Sequence, residues 1–209
     1  MTLYVWRPQS PADAWERFLV GCLDLIRGAL GDRPIVDVSD FTRAEVGVRF
    51  REQLGVSADG IFLALCHGTG VSLSGSGGEL LTTQDAQLFN GKFCYLIACS
   101  AGTLFAGHAL RAGAIGFVGF TDIVTIQRVG VPDDYAAIWR GALMSGVRLL
   151  IRGETSPRRV YQELNRELRS GANKILREKE IDRLQDAILV AGCMMRMATV
   201  LTWGPQSST

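Results

Sequence analysis

Two short stretches of the chain bring together residue types that do chemistry as a pair. The apolar run Ile61-Phe62-Leu63-Ala64-Leu65-Cys66 leads into His67-Gly68, and Phe93-Cys94-Tyr95-Leu96-Ile97-Ala98 leads into Cys99-Ser100-Ala101-Gly102. An imidazole near a thiol stabilises the thiolate and afterwards protonates the leaving group, so His67 and Cys99 are a candidate base and nucleophile. Gly68, with no Cβ, leaves room for a substrate carbonyl and for a backbone N–H aimed at its oxygen. The Cys99 N–H is a candidate second donor. A helix beginning near Ala101 would also turn its positive end toward a Cys99 thiolate.

The rival groups fit less well. His108, the other of the two histidines, falls about two and a half helical turns beyond Cys99, too far for proton transfer, and reads as a structural or surface residue. Ser100 sits in Ala98-Cys99-Ser100-Ala101-Gly102, one glycine short of a serine elbow, and that arrangement expects a histidine late in the chain. The Gly- and Ser-rich segment from Gly68 to Gly78 lacks the Gly-Lys-Ser/Thr of a phosphate-binding loop and reads as the flexible rim of a substrate cleft, with a short hairpin as an option within it. The five cysteines are odd in number and scattered, with no zinc-type spacing. No metal and no cofactor are expected, and reduced thiols favour a cytoplasmic setting.

The elements that position these residues follow from periodicity. Uninterrupted apolar runs of six suit strands of a sheet covered on both faces. Leu3 to Trp6, Ile35 to Val38 and Ile115 to Phe120 are further strands. Between them, Ser10-Pro11 opens a helix running from Trp15 to Leu30, and Asp40 or Thr42 caps another carrying Val46, Val48, Phe50 and Leu54. Thr82 to Asp85 starts a third, and Ala101 to Ala112 a fourth that ends at Gly113 in a left-handed conformation. Pro132-Asp133-Asp134 begins a long helix through Leu150, and Ser156-Pro157 another. Ala187 to Leu201 reads as a buried helix, broken by Arg196 and too short for a membrane span. Gly204 to Thr209 reads as a frayed tail.

With 209 residues, 47% hydrophobic residues and 21% charged ones, the chain suits a single domain. Residues 1–130 would form the sheet and residues 131–204 a mostly helical remainder. A net charge of +1 argues against nucleic acid as a partner. The N-terminus shows no basic segment followed by an apolar core, so no signal peptide is expected, and no membrane association either.

An apolar strand ending in His-Gly, then one ending in Ala-Cys-Ser, then a helix, Ala112-Gly113-Ala114 and another apolar strand together resemble the caspase-like cysteine peptidases. The Leu96-Ile97-Ala98-Cys99-Ser100 run and Arg111-Ala112-Gly113-Ala114 are most similar to bacterial CHAT-type peptidases and to separase. The likeness covers Ile61 to Asp122. It implies a caspase-like three-layer α/β sandwich, with a mostly parallel central sheet, helices on both faces and a helical C-terminal third. It also implies a metal-independent cysteine endopeptidase acting on a protein or peptide, with His67 as catalytic histidine, Cys99 as nucleophile and Gly68 as oxyanion support. Two positions before the cysteine, caspases carry Gln and metacaspases Asp in the primary specificity pocket. Here Ile97 stands there, and the usual pointer to the preferred residue is missing. Asp122 either lines that pocket and favours Arg or Lys, or is a strand-end turn carboxylate. CHAT-type members often sit beside a sensor region, so a separate regulatory partner is expected. Two alternatives stay open: a non-catalytic interaction module of the same fold, and a Rossmann-like small-molecule-binding protein.

Overall fold

A computed structural model describes residues 1–7, 13–37, 52–54, 59–75, 78–123, 131–178 and 181–205. A six-stranded sheet has the order β2-β1-β3-β7-β8-β9: β1 is Thr2–Trp6, β2 Ile35–Asp37, β3 Gly60–Leu65, β7 Lys92–Ile97, β8 Gly116–Phe120 and β9 Leu201–Pro205. The first five run parallel, and β9 is antiparallel to β8. The intervening β4 (His67–Gly68), β5 (Ser72–Gly75) and β6 (Gly78–Thr82) form a small antiparallel sheet.

Side chains alternate across the central strands because successive residues of a strand point to opposite faces. Ile61, Leu63, Leu65, Phe93, Tyr95 and Ile97 enter one core. There they meet α1 (Ala14–Val20), α2 (Asp24–Leu30), α4 (Asp133–Leu143), α5 (Ser145–Ile151), α6 (Pro157–Glu178) and α7 (Leu184–Val200). Phe62, Ala64, Cys66, Cys94, Leu96 and Ala98 enter a second core on the other face, with Phe89 of a 3₁₀ helix (Thr83–Phe89) and Phe105 of α3 (Leu104–Arg111). The molecule is therefore mixed α/β, with a mostly parallel sheet between two helical layers.

Several boundaries differ from those expected, each for a visible reason. The first helix is capped by Asp13, whose carboxylate accepts the Glu16 N–H at 2.8 Å; Ser10 and Pro11 lie outside the described residues, as do Val38 and the segment from Asp40 to Phe50. The expected helix from Trp15 to Leu30 divides at Gly21. There Arg140 of α4 donates to the Phe18 carbonyl at 2.7 Å and lies over the Phe18 ring. The helix after Asp133 likewise divides at Met144, where the Tyr95 hydroxyl donates to the Leu143 carbonyl at 2.6 Å. In both places a tertiary donor takes a carbonyl near the end of a helical segment.

Thr82 caps the 3₁₀ helix reciprocally with Asp85, and Gly113 has φ +99, as its place after α3 requires. The Gly- and Ser-rich segment after His67 holds the short hairpin expected as an option there: β5 pairs antiparallel with β6, and β4 with β5. The C-terminal third is not wholly helical. The Val200 carbonyl accepts the Thr121 N–H at 2.8 Å and the Thr121 hydroxyl at 3.0 Å, and from Leu201 the chain enters the sheet as β9. Leu201, expected to end a helix, and Gly204 and Pro205, expected in a frayed tail, instead belong to the edge strand Leu201–Pro205 that covers β8. Among the described residues no helix is long and apolar enough to cross a membrane.

Candidate active site

Strand order decides what meets at the carboxyl edge of the sheet. From β1 the chain goes outward to β2, then returns to the other side of β1 as β3 and proceeds to β7 and β8. The gap between β1 and β3 is thus a topological switch point, the place where open α/β sheets form sites. Asp13 follows β1, His67 follows β3, Cys99 follows β7 and Asp122 follows β8. Four polar or reactive residues, distant in sequence, share one edge in the order of their strands.

The register aligns the strand ends that lead to His67 and Cys99. Leu65 pairs with Ile97, and Cys66 donates its N–H to the Ile97 carbonyl at 3.3 Å. His67 and Cys99 each stand two residues beyond this last pair. Contact persists where β4 begins: a Cβ on Gly68 would lie 2.7 Å from the Cys99 carbonyl oxygen and 2.9 Å from the Ala98 Cβ. Only glycine allows this approach without displacing backbone.

A partner not singled out from the sequence holds the imidazole. His67 Nε2 lies 2.7 Å from Asp13 Oδ2 and 3.8 Å from Oε1 of the fully buried Glu16. His67 and Asp13 are 38% and 49% exposed, so the pair is reachable from solvent. Burial, the largest influence on the Asp13 carboxyl, pushes it upward, but the Glu16 N–H and the His67 charge and hydrogen bond together hold it below the ordinary value. Trp15 completes the turn, donating its Nε1–H to the Cys66 carbonyl at 3.3 Å. The missed signal was the early Asp13-Ala14-Trp15-Glu16 run. Nothing local to it announces a partner 54 residues away.

Cys99 is half-buried and packs against the core on the α1 face. The other thiols are poorer nucleophile candidates. Burial pushes Cys22 up to about 12 and raises Cys66, Cys94 and the half-buried Cys193 as well, so these thiols stay protonated. The next helix starts only at Leu104, which corrects the expectation of a helix end at Cys99. The intervening turn instead hangs on β8 through Ser100 N–H to the Asp122 carbonyl at 3.1 Å and Gly102 N–H to the Phe120 carbonyl at 2.7 Å. Ser100 has φ +54, a strained conformation for a residue with a side chain.

The remaining sequence candidates lie as follows. Ile97 is fully buried in the core, with no surface to offer a ligand. Asp122 forms an exposed ion pair with Arg196 of α7 at 2.8 Å. His108 is exposed on α3. No group of three or more His, Cys, Asp or Glu is placed to hold a metal ion among the described residues. The chain matches no protein-family model, and no curated protein matches it.

Proposed function

We propose that the protein is a caspase-like cysteine endopeptidase in which His67 is the base and Cys99 the nucleophile. The observation that supports the reading is the junction beyond β3 and β7, where Gly68 lies against the Cys99 backbone and the last register pair, Leu65 with Ile97, stands two residues before His67 and Cys99. In the proposed reaction the imidazole takes the Cys99 proton and sulfur bonds to the scissile carbonyl carbon. The imidazolium then gives its proton to the departing amine as the C–N bond breaks, and water hydrolyses the thioester to release the second product and restore the thiol. Gly68 supports the oxyanion through its backbone.

Asp122 is the proposed specificity group for Arg or Lys, and a substrate cation would take the place of Arg196 beside it. Ile97, being buried, contributes shape from beneath rather than contact. The same reading puts the protein in the cytoplasm, under the control of a separate regulatory protein docked on the helical last third, where Ile188 and Leu189 of α7 are exposed.

The test is cleavage of a peptide library by the wild type and by Cys99→Ala, read by mass spectrometry, with and without lysate to supply an activator. Cuts that vanish in Cys99→Ala while its circular dichroism is unchanged are expected. A library left intact by the wild type in both conditions would favour a non-catalytic interaction module instead.

A further inference from the structure

We propose that Asp13 is a positioning residue for His67, holding the imidazole in the tautomer with hydrogen on Nε2 so that Nδ1 is the nitrogen that accepts the Cys99 proton. This inference rests on the reading of His67 as the base and adds a third member, drawn from the helix after β1, to the proposed pair.

The two oxygens of the Asp13 carboxylate have separate tasks. Oδ1 accepts the Glu16 N–H at 2.8 Å, which fixes the side chain at the N-terminus of α1. Oδ2 lies 2.7 Å from His67 Nε2. An ionised carboxylate only accepts hydrogen bonds, so a neutral imidazole in this contact carries its hydrogen on Nε2. Glu16 Oε1, 3.8 Å from the same nitrogen, adds a second acidic group on that side. The backbone is clamped as well, because Trp15 donates to the carbonyl of Cys66, the residue before His67. A single helical turn therefore sets the ring and the peptide that carries it. Strand order completes the geometry: α1 approaches from the β1 side of β3, and Cys99 from the β7 side.

Asn at position 13 separates orientation from folding. It caps a helix as well as Asp, so its oxygen can keep the Glu16 N–H. Its NH₂ group then faces Nε2 and donates, which drives the imidazole hydrogen to Nδ1 and removes the base. Histidine nitrogen shifts measured by NMR above the titration of the ring report the tautomer directly. With only two histidines in the chain, His108→Gln assigns both signals, and His108 serves as an internal reference.

The expected result is Nε2–H at His67 in the wild type and Nδ1–H in Asp13→Asn. Cys99 alkylation by iodoacetamide and kcat should both fall roughly 10²- to 10⁴-fold in Asp13→Asn with little change in KM, as for other triads deprived of their orienting carboxylate. Nδ1–H in the wild type, an unchanged tautomer in Asp13→Asn, or a changed tautomer with an unchanged alkylation rate would each overturn the proposal. A wild type that cleaves nothing yet shows the expected tautomers and alkylation rates would remove the peptidase reading and leave the positioning of His67 by Asp13 standing.

Discussion

Gly68→Ala probes the junction on which the site depends. The added Cβ would lie 2.7 Å from the Cys99 carbonyl oxygen and 2.9 Å from the Ala98 Cβ. Ordinary contact begins near 3.4 Å, so the two backbones must part by roughly 0.7 Å. Neither side yields easily. Cys99 follows β7, which is paired with β3 along its length, and Gly68 is itself paired with Leu73 of β5. Overpacking of this kind costs about 1–3 kcal/mol. Because the shift falls between His67 and Cys99, the chemistry should suffer beyond the loss of stability. A displacement approaching 1 Å between reacting groups lowers rates by up to ~10²-fold. Urea denaturation should show a lower midpoint at unchanged slope. Cys99 alkylation and peptide cleavage, measured well below that midpoint, should slow by roughly 10- to 100-fold. A wild-type midpoint together with a wild-type alkylation rate would mean that Gly68 does not abut Cys99.

Three further outcomes follow from other parts of the molecule. Leu164→Ala removes a fully buried side chain of α6 from the core beneath the sheet and should cost about 2–5 kcal/mol by denaturant titration. Gly192→Ala, at an exposed position inside α7 where an added Cβ meets nothing within 4 Å, should instead raise stability by about 0.5–1 kcal/mol. The third concerns acid. The Asp13 carboxyl titrates below its ordinary value in the folded chain: burial raises it, but the Glu16 N–H and His67 outweigh that. The folded state therefore binds fewer protons than the unfolded one. The resulting stability is present above the unfolded value near 3.8 and is lost as pH falls through the lower folded one. Denaturant midpoints should fall more steeply as pH drops below 3.8 in the wild type than in Asp13→Asn.

Local pattern was enough to reveal the elements that carry chemistry. Six consecutive apolar residues before His67, and six before Cys99, leave little choice but strands buried on both faces, because their side chains point alternately into two cores. It was enough also for the alternation of strand and helix that makes an α/β sheet, for a helix start at Thr82 to Asp85, realised as a 3₁₀ helix, and for the left-handed Gly113. Helix ends were less legible. The breaks at Gly21 and Met144 involve the Arg140 guanidinium and the Tyr95 hydroxyl, groups far away in the chain. The strand β9 was hidden for the same reason: Leu201 to Pro205 has no strong pattern of its own and becomes a strand by pairing with β8.

Residue type and apolar run length are local properties, so an imidazole and a thiol at the ends of two buried strands were legible before any fold was known. Which strands lie side by side emerges only in the fold. Parallel pairing joins segments through long crossovers, and nothing within a strand names its neighbour. The order β1-β3-β7-β8 put the strands that precede His67 and Cys99 side by side, delivered Asp13 to His67 from the far side, and tied the turn after Cys99 to the end of β8. Asp13 is the plainest case. In the sequence it is an acidic residue in the first turn of a helix; in the fold it is the carboxylate 2.7 Å from His67.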